Sequence, residues 1–165
     1  MGDKFGSSVA SLGDLNGDGL LDLVTTEHGV PCRVHVFQNR GIEDGIPDLQ
    51  EVSSEAGLGG CFPTGTRTLP VKTAHVALRD FDLDGRVDML LTVITKNGDG
   101  SVQPLVLRNR SSRGGTVKFE PPPFQKMIAY CAAGPVADFD RDGRVDVFLA
   151  SWFEEVPSRL FRNTT

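Results

Sequence analysis

No apolar run in this 165-residue chain approaches the roughly 18 residues of a membrane-spanning helix, so no segment reads as a membrane span. The opening Met1-Gly2-Asp3-Lys4-Phe5 lacks an apolar stretch, and no signal peptide is expected within the chain. Cysteine is scarce: Cys32, Cys61 and Cys131 are odd in number, which excludes a disulfide knot, and their spacing fits no zinc pattern. There is no G-x-x-x-x-G-K-[ST] phosphate loop and no G-x-S-x-G nucleophile elbow. No amphipathic helix, heptad or G-x-y period is present, which excludes a coiled coil and a collagen. Positive charge is also short. A net charge of −5 argues against nucleic acid as the main partner. What is there is a globular composition: 39% hydrophobic residues, 19 Gly and 10 Pro. At this length a single domain can hide about two thirds of its unfolded surface.

The acids are concentrated in three nine-residue windows, Asp14–Asp22, Asp80–Asp88 and Asp138–Asp146, which hold eleven of the 22 carboxylates. Without those eleven the net charge would be +6. Each window places oxygen-bearing side chains at alternate positions. Such carboxylates repel one another, and a hard cation is the obvious reason to repeat them three times. Calcium takes six to eight oxygen ligands. Side chains at positions 1, 3 and 5 converge only if the chain turns sharply after them, and Gly19, Gly85 and Gly143 at position 6 permit a turn with φ > 0. The expected ligands are Asp14, Asn16, Asp18, Leu20 and Asp22; Asp80, Asp82, Asp84, Arg86 and Asp88; and Asp138, Asp140, Asp142, Arg144 and Asp146. Leu20, Arg86 and Arg144 would contribute only a backbone carbonyl. About three calcium ions are expected.

These loops differ from an EF-hand, which needs Glu at position 12 on a following helix. Thr25, Leu91 and Leu149 stand there, within short apolar, partly β-branched segments that read as strands. A helical calcium sensor is therefore disfavoured, and the loops are expected between strands.

More than the loop recurs. Ser8–Gly13, Ala74–Arg79 and Gly134–Ala137 precede the loops as alternating segments with Val-Ala near their ends. Val34–Asn39, Pro104–Asn109 and Arg159–Asn163 follow them, and each ends on Asn. Leu49–Val52 and Thr116–Phe119 supply a fourth element in the first two copies. The expected fold is all-β: tandem four-stranded blades of a β-propeller, within one repeat domain spanning 1–165. The repeats are 1–65, 66–125 and 126–165, the last lacking its outer strand. The expected variable loops are Gly41–Pro47, Gly57–Pro70 and Ser111–Gly115.

The run Phe5-Gly6-Ser7-Ser8-Val9-Ala10-Ser11-Leu12-Gly13-Asp14-Leu15-Asn16-Gly17-Asp18-Gly19 resembles the FG-GAP repeat of integrin α-subunit propellers. Copies two and three, Val-Ala-x-x-Asp-Phe-Asp-x-Asp-Gly-x-x-Asp, are similar to VCBS-type repeats. The recurrent Phe-x-Asn and Ala56-Gly57-Leu58 resemble propellers of cartilage-acidic-protein-like proteins. The resemblance implies structural calcium in the loops and a propeller that mediates extracellular interactions, usually with seven blades. About three blades are visible here. It therefore implies an open or partial array, completed by further blades or by self-association.

The remaining residues carry weaker signals. Cys32 and Cys61 lie in irregular stretches and could pair; Cys131 reads as a small buried hydrophobe. His28, His35 and His75 are scattered. Asn109-Arg110-Ser111 and Asn163-Thr164-Thr165 match the glycosylation sequon, but Asn39 fills the same repeat position without one, which favours a turn residue. Arg86, Arg110, Arg113, Arg144, Arg159 and Arg162 read as charge balance beside the acidic loops, with a basic rim as the competing reading. Trp152-Phe153 reads as blade packing before an exposed recognition tip.

The leading functional reading is a non-catalytic, calcium-stabilised propeller module for extracellular protein or glycan interaction and adhesion. Localisation would be extracellular or secreted, or the periplasm or cell surface of a bacterium. No nucleic acid or membrane span is implied. The alternative is a catalytic or accessory domain of a polysaccharide-acting enzyme, which would need an acid–base pair. The acids outside the loops, Glu27, Glu51, Glu55, Glu154 and Glu155, form no recognisable constellation.

Overall fold

The computed structural model describes residues 10–27, 33–58, 72–94, 102–120, 131–151 and 157–164. Cys32, Cys61, His28, Trp152–Glu155 and residues 59–70 lie outside them. The described residues contain no helix and form three antiparallel sheets. The first is ordered β1 (Ala10–Gly13), β2 (Asp22–Glu27), β3 (Arg33–Glu43), β4 (Ile46–Glu51). The second follows the same plan: β5 (Lys72–Arg79), β6 (Asp88–Ile94), β7 (Val102–Asn109), β8 (Phe119–Glu120). In the third, β9 (Cys131–Ala133) and β10 (Val136–Ala137) both pair with β11 (Asp146–Ser151), which then pairs with β12 (Arg159–Phe161). The architecture is all-β, a set of partial propeller blades, and no sheet closes on itself among the described residues.

The innermost strand of the third sheet is split where the second has a continuous β5. A Cβ on Gly134, between β9 and β10, would collide with the Phe148 carbonyl oxygen, so only glycine allows the two backbones to approach there. The register of β11 shifts between Ala150 and Ser151 at the same place.

Gly41–Pro47 is not the loop expected. It is the tip of a hairpin in which β3 and β4 continue to Glu43 and Ile46 across Asp44-Gly45. Both turn residues have positive φ, 50° and 80°, the requirement of a tight hairpin turn that matches strand twist. Gly41 absorbs a register shift between Asn39 and Ile42.

The sheets stack face to face, and period-two alternation decides which residues meet. From the second sheet, Leu78, Met89, Leu91 and Leu107 turn towards the first, against Leu15, Val24, Val36 and Val52. Their neighbours Phe81 and Leu90, with Ala77 and Val106, turn the other way, against Val147, Leu149 and Phe161 of the third. A sheet covered on both faces needs apolar residues at consecutive positions, and Met89-Leu90-Leu91 in β6 supplies them. Burying each such side chain stabilises the fold by about 1.5–3 kcal/mol.

Candidate metal loops

The three acidic loops join β1 to β2, β5 to β6 and β10 to β11, at the same end of their sheets. All three share one backbone. Glycine at position 6 has φ of 90°, 83° and 88° in Gly19, Gly85 and Gly143. A Cβ there would meet no other atom, so the requirement is backbone conformation and not space. The N–H of each glycine donates to Oδ2 of the first Asp (Asp14, Asp80, Asp138) at 2.9 Å. Position 4 is also left-handed, which was not anticipated: Gly17 has φ 70°, but Leu83 and Arg141 adopt 59° and 63° despite their side chains. Gly17 was the one visible signal of it.

Position 9 is the anchor of the frame. Asp22, Asp88 and Asp146 are buried, and both oxygens of each accept a backbone N–H. Leu15 and Asn39 donate to Asp22 at 2.8 and 2.9 Å. Phe81 and Asn109 donate to Asp88 at 3.0 and 2.8 Å. Phe139 and Asn163 donate to Asp146 at 3.1 and 2.9 Å. Each carboxylate thus ties the start of its loop to the end of the third strand of its sheet. That double role was not legible in the spacing. Burial pushes the Asp22 and Asp88 carboxyls above the ordinary aspartate range, against the pull of their backbone donors; neighbouring loop carboxylates push the same way.

In the second loop Asp80, Asp82 and Asp88 each bring an oxygen within 4.8 Å of the others, and in the third Asp138, Asp140 and Asp146 do the same. Asp80 Oδ1 and Asp82 Oδ1 are buried without a hydrogen-bond partner. Buried carboxylate oxygens without donors are costly, and a hard cation is the ligand that three clustered carboxylates suit. The residues therefore fit calcium at positions 1, 3 and 9. Position 5 of these two loops is turned towards arginine. Asp84 accepts from the Arg86 backbone N–H at 2.9 Å and pairs with the Arg86 guanidinium; Asp142 does the same with Arg144. The Arg144 backbone donor, aided by the Arg144 and Arg162 guanidiniums, holds the Asp142 carboxyl below the ordinary range.

The arginines act as charge balance. Arg108 lies 3.5 Å from Asp82, and Arg162 pairs with Asp140 and lies 3.3 Å from Asp142. Arg86 and Arg144 also donate through Nε to the carbonyls of Asn109 and Asn163, both at 3.0 Å. The position-7 arginines therefore brace their loops against the residues that end the third strands.

The first loop is used differently. Asn16 is buried, and its Nδ2 donates to the Gly115 carbonyl at 2.9 Å and to Asp18 at 3.0 Å. Gly114 N–H donates to the Asn16 carbonyl at 2.9 Å, and Arg113 Nε to that of Gly17 at 3.2 Å. Ser111–Gly115, expected as a free variable loop, is instead clamped to the acidic loop of the neighbouring sheet.

The FG-GAP repeat family matches residues 5–39, and the FG-GAP-like repeat family matches residues 80–149. This chain carries FG-GAP-type repeats. No curated protein matches it. FG-GAP repeats are typically non-catalytic structural repeats, and here two of their acidic loops hold carboxylate clusters suited to a metal.

In the second and third repeats the Asn at the end of the third-strand segment proves to be a junction residue. Asn109 is fully buried; its Nδ2 donates to the carbonyls of Val87 (2.8 Å) and of Leu15 in the preceding sheet (2.7 Å). Asn163 Nδ2 donates to Phe81, also one sheet back, at 2.8 Å. The nitrogen that a glycan would occupy is committed to the fold in both sequons.

His35 Nδ1 lies 2.7 Å from Glu51 Oε1, and the Ser53 hydroxyl donates to the same oxygen at 3.0 Å. Ser53 thus faces a carboxylate. His75 is half-buried, and burial holds it below the usual histidine range. No described helix is long and apolar enough to cross a membrane.

Proposed function

We propose that this chain is a non-catalytic FG-GAP propeller module whose acidic loops bind structural calcium, and which serves extracellular protein or glycan interaction. The observation that carries the reading is the pair of buried oxygens, Asp80 Oδ1 and Asp82 Oδ1, left without donors beside Asp88. Asp80, Asp82 and Asp88 would hold one ion, and Asp138, Asp140 and Asp146 a second. Asp14, Asn16, Asp18 and Asp22 would hold a third, more weakly, because Asn16 offers no charge. Calcium would neutralise each cluster and stiffen the β1–β2, β5–β6 and β10–β11 connections. Rigid sheets would then present their rims to a partner. Loop sites of this kind suit the affinity range of extracellular calcium modules, which supports an extracellular or secreted setting.

The test is Asp82→Ala and Asp140→Ala, compared with the parent chain in calcium and in chelator. Both substitutions should remove most of the calcium-dependent rise in Tm while leaving the Tm in chelator within a few degrees of the parent. Equal stabilisation by calcium in parent and variants would refute the assignment.

A further inference from the structure

The two junctions between sheets follow one rule, and each end of the stack carries half of a third. At both junctions the position-2 residue of a loop is buried by the next sheet: Leu15 is 2% exposed and Phe81 6%. Its carbonyl accepts the Asn side chain that ends β7 or follows β12. The equivalent residue of the third sheet, Phe139, is 46% exposed. Around it lie exposed Leu160 and half-buried Phe148, at the repeat positions of Val106 and Leu90, which face the third sheet from the second.

The opposite end is the matching half. Leu12, Leu21, Leu23 and Phe37 hold the repeat positions of Leu78, Val87, Met89 and Leu107, which meet the preceding sheet. Here Leu12 is 61% exposed and Leu21 is exposed. Asn39, the counterpart of Asn109 and Asn163, donates through Nδ2 to its own Leu21 carbonyl at 3.2 Å. Asn109 makes that same contact to Val87 and adds a second, to the preceding sheet. Among the described residues nothing supplies this second acceptor to Asn39.

We propose that two copies of this chain associate head to tail, the Phe139–Phe148–Leu160 face of one covering the Leu12–Leu21–Phe37 face of the other. Asn39 of one copy would donate to the Phe139 carbonyl of the other, which makes a third junction of the kind already made twice within the chain. The donor and the acceptor sit at opposite ends, so the contact is heterologous and propagates into a ring or a filament. It does not rest on the calcium reading, and the experiment is run with calcium and with chelator to keep the two apart.

The test is sedimentation velocity of the parent chain, Leu12→Arg and Phe139→Arg, at protein concentrations up to roughly 100 µM, a range that detects weak association. The parent should grow with concentration beyond a dimer. Each variant alone should sediment as a monomer, with association weakened at least tenfold. A mixture of the two should form a heterodimer and stop there, because each variant keeps one intact end. That rescue also shows that both variants are folded. A parent that stays monomeric, or an association that survives both substitutions, would overturn the proposal. A mixture that stays monomeric while circular dichroism shows both variants folded would do the same, and would leave these faces to a further blade of a longer chain.

Discussion

In the first loop Asn16 and Leu20 stand where the second carries Asp82 and Arg86 and the third Asp140 and Arg144. The backbone is the same in all three, with left-handed residues at positions 4 and 6 and a buried Asp at position 9 receiving two backbone donors. The side chains are put to different use. Asn16 donates an N–H across to Gly115, which a carboxylate cannot do, and so ties the first sheet to the second. Asp82 and Asp140 instead add charge to a cluster that arginines partly neutralise. The loop frame is thus separable from the metal chemistry. Position 9 builds the frame in all three loops, and position 3 sets how much charge the loop offers a cation and whether it also ties down a neighbouring sheet.

The hardest blow to that separation is at position 9. Asp88→Ala strands the buried N–H groups of Phe81 and Asn109 and should cost about 3 kcal/mol, by the usual penalty for unsatisfied buried donors. The loss should be present in chelator and larger in calcium, where the Asp80–Asp82–Asp88 site is lost as well, as read by urea unfolding. A loss seen only in calcium would show that Asp88 is a ligand and not part of the frame.

Asn16→Asp probes the comparison from the other side. It removes the donor to Gly115 and should lower stability in chelator by about 1 kcal/mol, while calcium binding at the first loop becomes several-fold tighter. Calorimetry beside a chelator melt reads both. If stability in chelator is unchanged, the Asn16–Gly115 bridge contributes nothing.

The smallest effect is at position 4. Leu83→Gly relieves a left-handed side chain and should raise stability by roughly 0.5–1 kcal/mol, after the entropy of glycine is set against the strain. The reverse change, Gly17→Leu, should lower it by a similar amount. Tm values resolve both.

The loops, the strands around them and the repeat plan were legible in the sequence because each rests on local chemistry. Alternating carboxylates with a glycine at position 6 have one economical backbone, and apolar alternation marks a strand. What escaped was non-local. Asn39, Asn109 and Asn163 were visible as a recurrence, but the acceptors of the last two lie 94 and 82 residues away, and spacing does not disclose a partner in another sheet. Ser111–Gly115 looked like a free loop because its clamp, Asn16, belongs to the previous repeat. Gly41–Pro47 departs from a loop for a local reason: Asp44-Gly45, with positive φ at both residues, makes a tight hairpin turn. The leaning of position 5 towards arginine rather than towards the cluster follows from the Arg86 and Arg144 side chains at position 7, where only a backbone carbonyl was expected to contribute.

The most direct test of the central claim is a calcium titration by calorimetry on the chelator-treated chain, with Tm followed at each point. The account predicts two tighter sites and one weaker one. Tm should climb as they fill, by an amount set by RT ln(1 + [Ca]/Kd), about 2.7 kcal/mol of stabilisation per site at a hundredfold excess over Kd. A titration with no heat of binding and an unchanged Tm, on a chain that melts cooperatively, would contradict it.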